Sequence, residues 1–279
     1  MIMKIFTCAI VFFLAQFVNA GQMVQRYFEA VAPSKLPTNS VKLINATHFK
    51  AYRISLERLS LELGDLTATD KSQSKLIEVP YPDGSSKRFY LVANETMHPD
   101  LKAKFPKIRT YDGYPEKNTG ELMKLDVTPL GFHAMILRPD GDTVFIDPMY
   151  KGDTKYYMSY FKKDFRTTGR LKCGVHSNGK SLKTSRLNAQ STPFYPCELK
   201  QYRLALAATA QYTQYFGGTV GDALAAQVTT INRVNGIYEV DMAITMQIIA
   251  NNNLIIYTDP NNQPYTSGNP DAMITQNQT

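Results

Sequence analysis

Few residues of this chain have the types and spacings that chemistry requires. There are four histidines, His48, His98, His133 and His176, and three cysteines, Cys8, Cys173 and Cys197. No two histidines stand at i,i+4, so no helix offers a pair of ring nitrogens on one face to a metal. Three cysteines cannot complete a four-thiolate zinc site. The motif H-E-x-x-H, two ligands one turn apart with a general base beside the first, is absent from the sequence. Asp126, Asp140, Asp142, Asp147 and Asp153 have a spacing that fits no calcium loop. The serines lack a nucleophile-elbow context. Glu239 and Asp241 flank a strand start and read as surface or capping residues. Thiol chemistry remains, at Cys173 and Cys197. Joined, they would close a loop worth roughly 3 kcal/mol on chain-entropy grounds. If Cys197 pairs with a cysteine from elsewhere, Cys173 stays a free thiol.

The elements around these residues fall into three regions. Apolar residues are 43% and charged residues 20% of 279, enough for a real core and too apolar for wholesale disorder. Tyr52, Ile54 and Leu56 alternate as a strand. Leu56, Leu59 and Leu63 then fall at helical spacing up to Gly64. Strand-like runs at 76–80 and 88–92 flank Tyr81-Pro82-Asp83-Gly84-Ser85, a turn sequence. Residues 132–137 and 143–146 repeat that arrangement about Pro139-Asp140-Gly141-Asp142. Pro99 to Phe105 reads as a helical turn and Tyr156 to Phe161 as a further strand. Residues 45–165 therefore predict a mostly antiparallel β domain with little helix.

Residues 166–196 are basic and polar, and read as a linker open to a maturation cut. Between Lys151 and Arg186 lie ten Lys or Arg against two Asp, which contributes much of a net charge of +7. No aromatic recognition motif accompanies that charge, so nucleic acid is not implied. Beyond it, Tyr202, Leu204 and Leu206 alternate as a buried strand. Thr219 and Asp222 form a capping pair. Val220, Leu224, Val228, Ile231, Val234 and Tyr238 make a helical stripe, with a stop expected at or just after Asn235-Gly236. Met242, Ile244, Met246 and Ile248 alternate as a second strand, and Leu254 to Tyr257 continues or pairs with it. The result is a βαβ unit too small to bury a core of its own. The fold class is α+β: a mostly antiparallel β domain followed by an incomplete α/β unit.

The first twenty residues read as a secretory signal. Lys4 supplies a positive start and Ile5 to Phe17 an apolar segment shorter than the ~20 residues of a membrane span. Small residues then precede a cut between Ala20 and Gly21. No stable membrane anchor is implied, and the mature chain would meet an oxidising compartment. Asn45-Ala46-Thr47, Asn94-Glu95-Thr96 and Asn277-Gln278-Thr279 are glycosylation sequons.

The run Cys197-Glu-Leu-Lys-Gln-Tyr-Arg-Leu-Ala-Leu-Ala-Ala-Thr-Ala-Gln-Tyr-Thr, with Phe216-Gly-Gly-Thr-Val and Val228-Thr-Thr-Ile-Asn-Arg-Val-Asn-Gly-Ile-Tyr-Glu-Val-Asp-Met, resembles the opening of the catalytic domain of bacterial reprolysin-like zinc metallopeptidases. Ile248-Ile-Ala-Asn-Asn-Asn-Leu-Ile-Ile-Tyr and Pro264-Tyr-Thr continue it. Pro80-Tyr-Pro-Asp-Gly, Phe105-Pro-Lys-Ile-Arg-Thr-Tyr-Asp-Gly, Gly131-Phe-His-Ala-Met and Ile146-Asp147-Pro148 resemble that family's propeptide. Departures stand at Gln211, where the family commonly has Glu, and at Val240, where it often has Arg. The resemblance implies a signal peptide at 1–20, a propeptide domain at 21–165, a linker at 166–196 and the start of a metzincin-type catalytic domain at 197–279. It implies zinc held by three histidines of a longer motif expected beyond Thr279, and peptide or protein substrates for the full-length enzyme. No catalytic residue lies in this chain, which alone should not hydrolyse peptides. The resemblance also gives Cys173, within Lys172-Cys173-Gly174-Val175, the part of a zymogen thiolate that fills zinc's open position. The alternative is a non-enzymatic secreted binding or inhibitory module. The oligomeric state is left open.

Overall fold

The computed structural model describes residues 27–64, 66, 73–166 and 198–277. The signal segment with Ala20 and Gly21, nearly all of the 166–196 linker, Cys173, His176 and Cys197 lie outside the described residues.

The turn chemistry builds two of the hairpins. Strands β1 (Phe28–Ala30) and β2 (Lys50–Ile54) precede helix α1 (Leu56–Leu63), followed by β3 (Lys75–Pro80) and β4 (Ser86–Ala93). Between β3 and β4, Asp83 Oδ1 accepts the Ser85 amide at 2.9 Å, and Gly84 takes φ +91°, where a side chain would be strained. Helix α2 (Pro99–Lys104) leads to β5 (Arg109–Pro115), β6 (Leu122–Thr128), β7 (Gly131–Leu137), β8 (Val144–Pro148) and β9 (Tyr156–Phe161). At the turn between β7 and β8, Gly141 takes φ +79° and Asp140 accepts the Asp142 amide at 3.1 Å. These strands form one antiparallel sheet of nine, in the order β1-β2-β9-β8-β7-β6-β5-β4-β3. The sheet curls until Ser159 Oγ, on β9, donates to the Pro80 carbonyl at 2.9 Å. Its inner face buries Phe89, Leu91, Met123, Leu125, Phe132, Ile146 and Tyr157 against Leu59 and Leu63 of α1.

Its other face is apolar toward β2, β8 and β9, where Ala51, Met158 and Tyr160 bury with Phe145 beside them, but polar at β5 and β6, and that is where sequence and structure part. The alternation on β6 puts Met123, Leu125 and Val127 inward and Lys124, Asp126 and Thr128 outward. All six are buried. β5 and β6 are not among the strands expected from the sequence; Met123 to Thr128 does alternate, but its outward Lys124 and Asp126 are charges that a half-exposed strand would show to water, and here they are covered.

What covers them is the second region: β10 (Lys200–Leu204), α3 (Ala210–Tyr215), α4 (Val220–Met242), β11 (Ile244–Ile248) and α5 (Pro270–Gln276). β10 and β11 pair in parallel around α4, the βαβ unit that the sequence predicts. Three details are corrected. β10 is not a buried strand: Tyr202 is 53% exposed, and among the described residues β10 pairs with β11 alone. α4 does not stop at Asn235-Gly236 but runs to Met242, so Met242 ends the helix instead of opening a strand. The turn comes at Ala243, with φ +52°. Leu254 lies in a short 3₁₀ turn (Asn252–Ile255), and the pairing that follows is one parallel bridge of Ile256 to Ala208.

The unit's core is also not left unfinished. Met97, Leu101 and Ile108, from the loop and α2 beside the large sheet, bury with Leu224, Val228, Ile231 and Ile248, and Phe105 and Leu130 pack on the same cluster. The segment after β4 continues beside β11: the Ile248 amide donates to Thr96 O at 2.8 Å, and the His98 amide to Ile248 O at 2.9 Å.

Candidate functional site

Helix α4 is well specified at its start. Thr219 Oγ1 accepts the Asp222 amide at 3.1 Å and donates to Asp222 Oδ2 at 2.6 Å, the predicted capping pair. Its 23 residues span about 34 Å at ~1.5 Å per residue. One face carries Leu224, Val228 and Ile231 into the second core. The other carries Thr229, Asn232, Arg233, Gly236 and Glu239, three or four apart, onto the large sheet.

That second face is a row of polar junctions. Thr229 Oγ1 donates to Asp126 Oδ2 at 2.8 Å, and the same oxygen lies 2.9 Å from His133 Nδ1. Asn232 is fully buried. Its amide donates to Leu125 O at 3.1 Å, and its oxygen accepts from Asn94 Nδ2 at 2.9 Å and from Thr96 Oγ1 at 3.3 Å. Arg233 donates to Asp147 while its guanidinium sits 5.1 Å from the centre of the Phe145 ring. Tyr160 OH donates to the other Asp147 oxygen at 2.9 Å. Lys124 Nζ bridges Asp112 Oδ1 at 2.7 Å and Glu239 Oε2 at 2.6 Å. Glu239 Oε1 in turn accepts from Thr245 Oγ1 at 2.9 Å.

Burial alone would push the Lys124 ammonium down, but Asp112 and Glu239 more than offset it and hold it above the ordinary lysine value. Arg233 is raised in the same way, burial being outweighed by Asp147 and Asp126. Burial, with Asp147 beside it, drives the Tyr160 phenol far above its ordinary value. The cations on this face stay charged and the phenol stays neutral. The arrangement holds two surfaces together and activates no nucleophile.

Gly236 lets the surfaces approach. A Cβ there would lie 2.7 Å from Lys124 Cγ and 3.0 Å from Met135 Cε. Its neighbour Asn235 serves β11: it donates to Met246 O at 2.8 Å and accepts the Met246 amide at 2.9 Å, pairing with that edge as a strand would. The pair that reads as a helix stop is thus used for close approach and for edge pairing. Glu239 is likewise no surface cap but part of the Lys124 bridge. Asp241 is exposed, as expected.

The other sequence candidates are dispersed. His48 meets Asp164 at 3.0 Å on the surface. His98 Nδ1 accepts the Asp100 amide at 3.2 Å and caps α2. Asp140 pairs with Arg138 at 2.6 Å and Asp142 with Lys163 at 2.9 Å. Asp153 Oδ1 accepts the Lys155 amide at 2.6 Å. The junction itself carries no sequence motif. The signal that could have found it is the pairing of Asp112, Lys124 and Asp126 on strands with Thr229, Asn232, Arg233 and Glu239 at helical spacing.

Residues 199–277, which contain α4 and both strands of the βαβ unit, match the family model described as metallo-peptidase family M12B, reprolysin-like. This segment is reprolysin-like. No curated protein matches the chain significantly. The family implies zinc, and the described residues do not fit it. Among them no three of His, Cys, Asp and Glu stand close enough to hold a metal. His48, His98 and His133 are spread over separate elements, each engaged as above. No hydrolytic step is therefore assigned to the reprolysin-like segment or to the sheet. Among the described residues no helix is long and apolar enough to cross a membrane.

Proposed function

We propose that the chain is the N-terminal part of a secreted reprolysin-like metalloendopeptidase precursor. In this reading 1–20 are a signal peptide cut between Ala20 and Gly21, and the nine-stranded sheet is the propeptide. The segment from Cys197 onward opens the catalytic domain, whose substrates are peptides or proteins. Zinc would be held by ligands outside the residues described, with Cys173 as the thiolate that blocks it before maturation. The observation that supports the reading is the placement of α4: the long helix of the reprolysin-like segment is covered by the sheet along its second face, as a propeptide would cover the domain it escorts.

The test is the reading frame downstream of the Thr279 codon. A frame that continues into H-E-x-x-H-x-x-G-x-x-H is the expected result. A stop codon there would remove the protease reading and leave a binding or inhibitory module.

A further inference from the structure

We propose that the outer face of β5 to β9 is a recognition surface for one helix, α4. It reads the helix through the register of its charges, and it holds the 198–277 segment without a covalent connection. The proposal does not depend on the zymogen reading, since it concerns only which surfaces bind.

Three observations carry it. First, the contacts repeat along the helix. Asp126 meets Thr229, Asp147 meets Arg233 and Lys124 meets Glu239, over about 15 Å of axis at ~1.5 Å per residue. Sliding α4 by one turn would set Glu239 beyond Lys124 and bring Arg233 away from Asp147. Buried charges would then stand unpaired. Second, the groups are committed to each other. Lys124 and Asp147 side chains are 2% and 5% exposed, and Asn232 is fully buried between Leu125, Asn94 and Thr96. Uncovered, this face would be a set of charges on a strand with no structural use. Third, an apolar patch lies beside the polar row. Met97, Leu101, Phe105 and Ile108 enter the core of the 198–277 segment, and Thr96 and His98 extend its β11 edge. The polar row supplies selectivity and the apolar patch supplies affinity, the division of labour found at protein interfaces.

The experiment introduces a site for a specific protease between Arg166 and Glu198, cuts the full chain under native conditions, and weighs the products by size-exclusion chromatography with light scattering. The two pieces are expected to travel as one 1:1 complex. Asp147→Arg and Arg233→Asp, made singly, should each weaken retention by about a hundredfold or more, because each leaves a buried charge facing its like. The two together should restore much of it. Wild-type pieces that part on the column, folded or not, overturn the proposal. So do single variants retained as tightly as wild type. The exchange separates the proposal from a folding defect: a double variant no better than the singles would overturn recognition by charge register.

Discussion

Replacing Gly236 by alanine should destabilise this protein, although alanine is the better helix former. In the middle of an exposed helix the change would stabilise by about 1 kcal/mol. Here the new Cβ would stand 2.7 Å from Lys124 Cγ, closer than carbon atoms pack. Met135 Cε, at 3.0 Å, is the end of a flexible chain and can give way. Lys124 cannot, since its ammonium is pinned between Asp112 at 2.7 Å and Glu239 at 2.6 Å. The helix must shift or the lysine must leave one carboxylate. Overpacking of this kind costs about 1–3 kcal/mol beyond the propensity gain. Lys124→Ala alone should cost about 2–4 kcal/mol: less than the full penalty of a broken buried pair, because Asp112 and Glu239 are 18% and 20% exposed and can take up water. In the Lys124→Ala background the obstruction is gone, so Gly236→Ala should become neutral or stabilise by up to about 1 kcal/mol. The cycle therefore predicts a coupling of about 1–4 kcal/mol between the two positions. Urea unfolding of the four proteins, followed by circular dichroism and fluorescence together, measures it. Additive effects within about 0.5 kcal/mol would refute the argument, since they would mean that the helix and Lys124 do not meet.

Asn235→Leu should cost about 2–4 kcal/mol, because the Met246 amide and carbonyl both lose their partner. Hydrogen exchange reads it directly: the Met246 amide should lose protection, and unchanged protection would count against the edge-pairing role. The protein should also be labile to alkali. Burial raises the phenols of Tyr81, Tyr157 and Tyr160, with Glu121 adding to Tyr81 and Asp147 to Tyr160, and Lys124 is raised by its two carboxylates against burial. The fold keeps these protons while the unfolded chain loses them above about pH 10, so stability is intact below that value. It falls above it by about 1.4 kcal/mol per pH unit for each group. Near-UV tyrosinate absorbance should rise together with loss of native circular dichroism. Full titration of every tyrosine in a still-native protein would contradict the burial.

The parts of this fold that local chemistry dictates are legible in the sequence. Pro82-Asp83-Gly84 and Asp140-Gly141-Asp142 announce two hairpins because a carboxylate and a glycine serve the turn wherever it lies. Thr219 and Asp222 announce α4 for the same reason. The site is less legible because its residues answer to partners distant in sequence. Lys124 and Asp126 look like the solvent face of a weak strand until a helix more than a hundred residues later is laid over them. Asn235-Gly236 has the composition of a helix stop and the function of a contact. Asn94 and Thr96 form a sequon whose amide and hydroxyl are occupied by Asp112 and Asn232. The thiol chemistry expected of Cys173 and Cys197 falls outside the described residues.

A helix with two buried faces needs two partners, and this shapes both halves of the molecule. Two parallel strands cannot cover α4 alone, and a nine-stranded sheet cannot leave Lys124, Asp126 and Asp147 uncovered without wasting them. The two contacts differ in kind. Residues 97–108 add apolar area to the core of the reprolysin-like segment, the kind of burial that favours association. The row from Asp126 to Lys124 adds little net stability, because each ion pair must first be desolvated. It does make every wrong register costly. The charges then decide which helix, and at which turn, the sheet accepts.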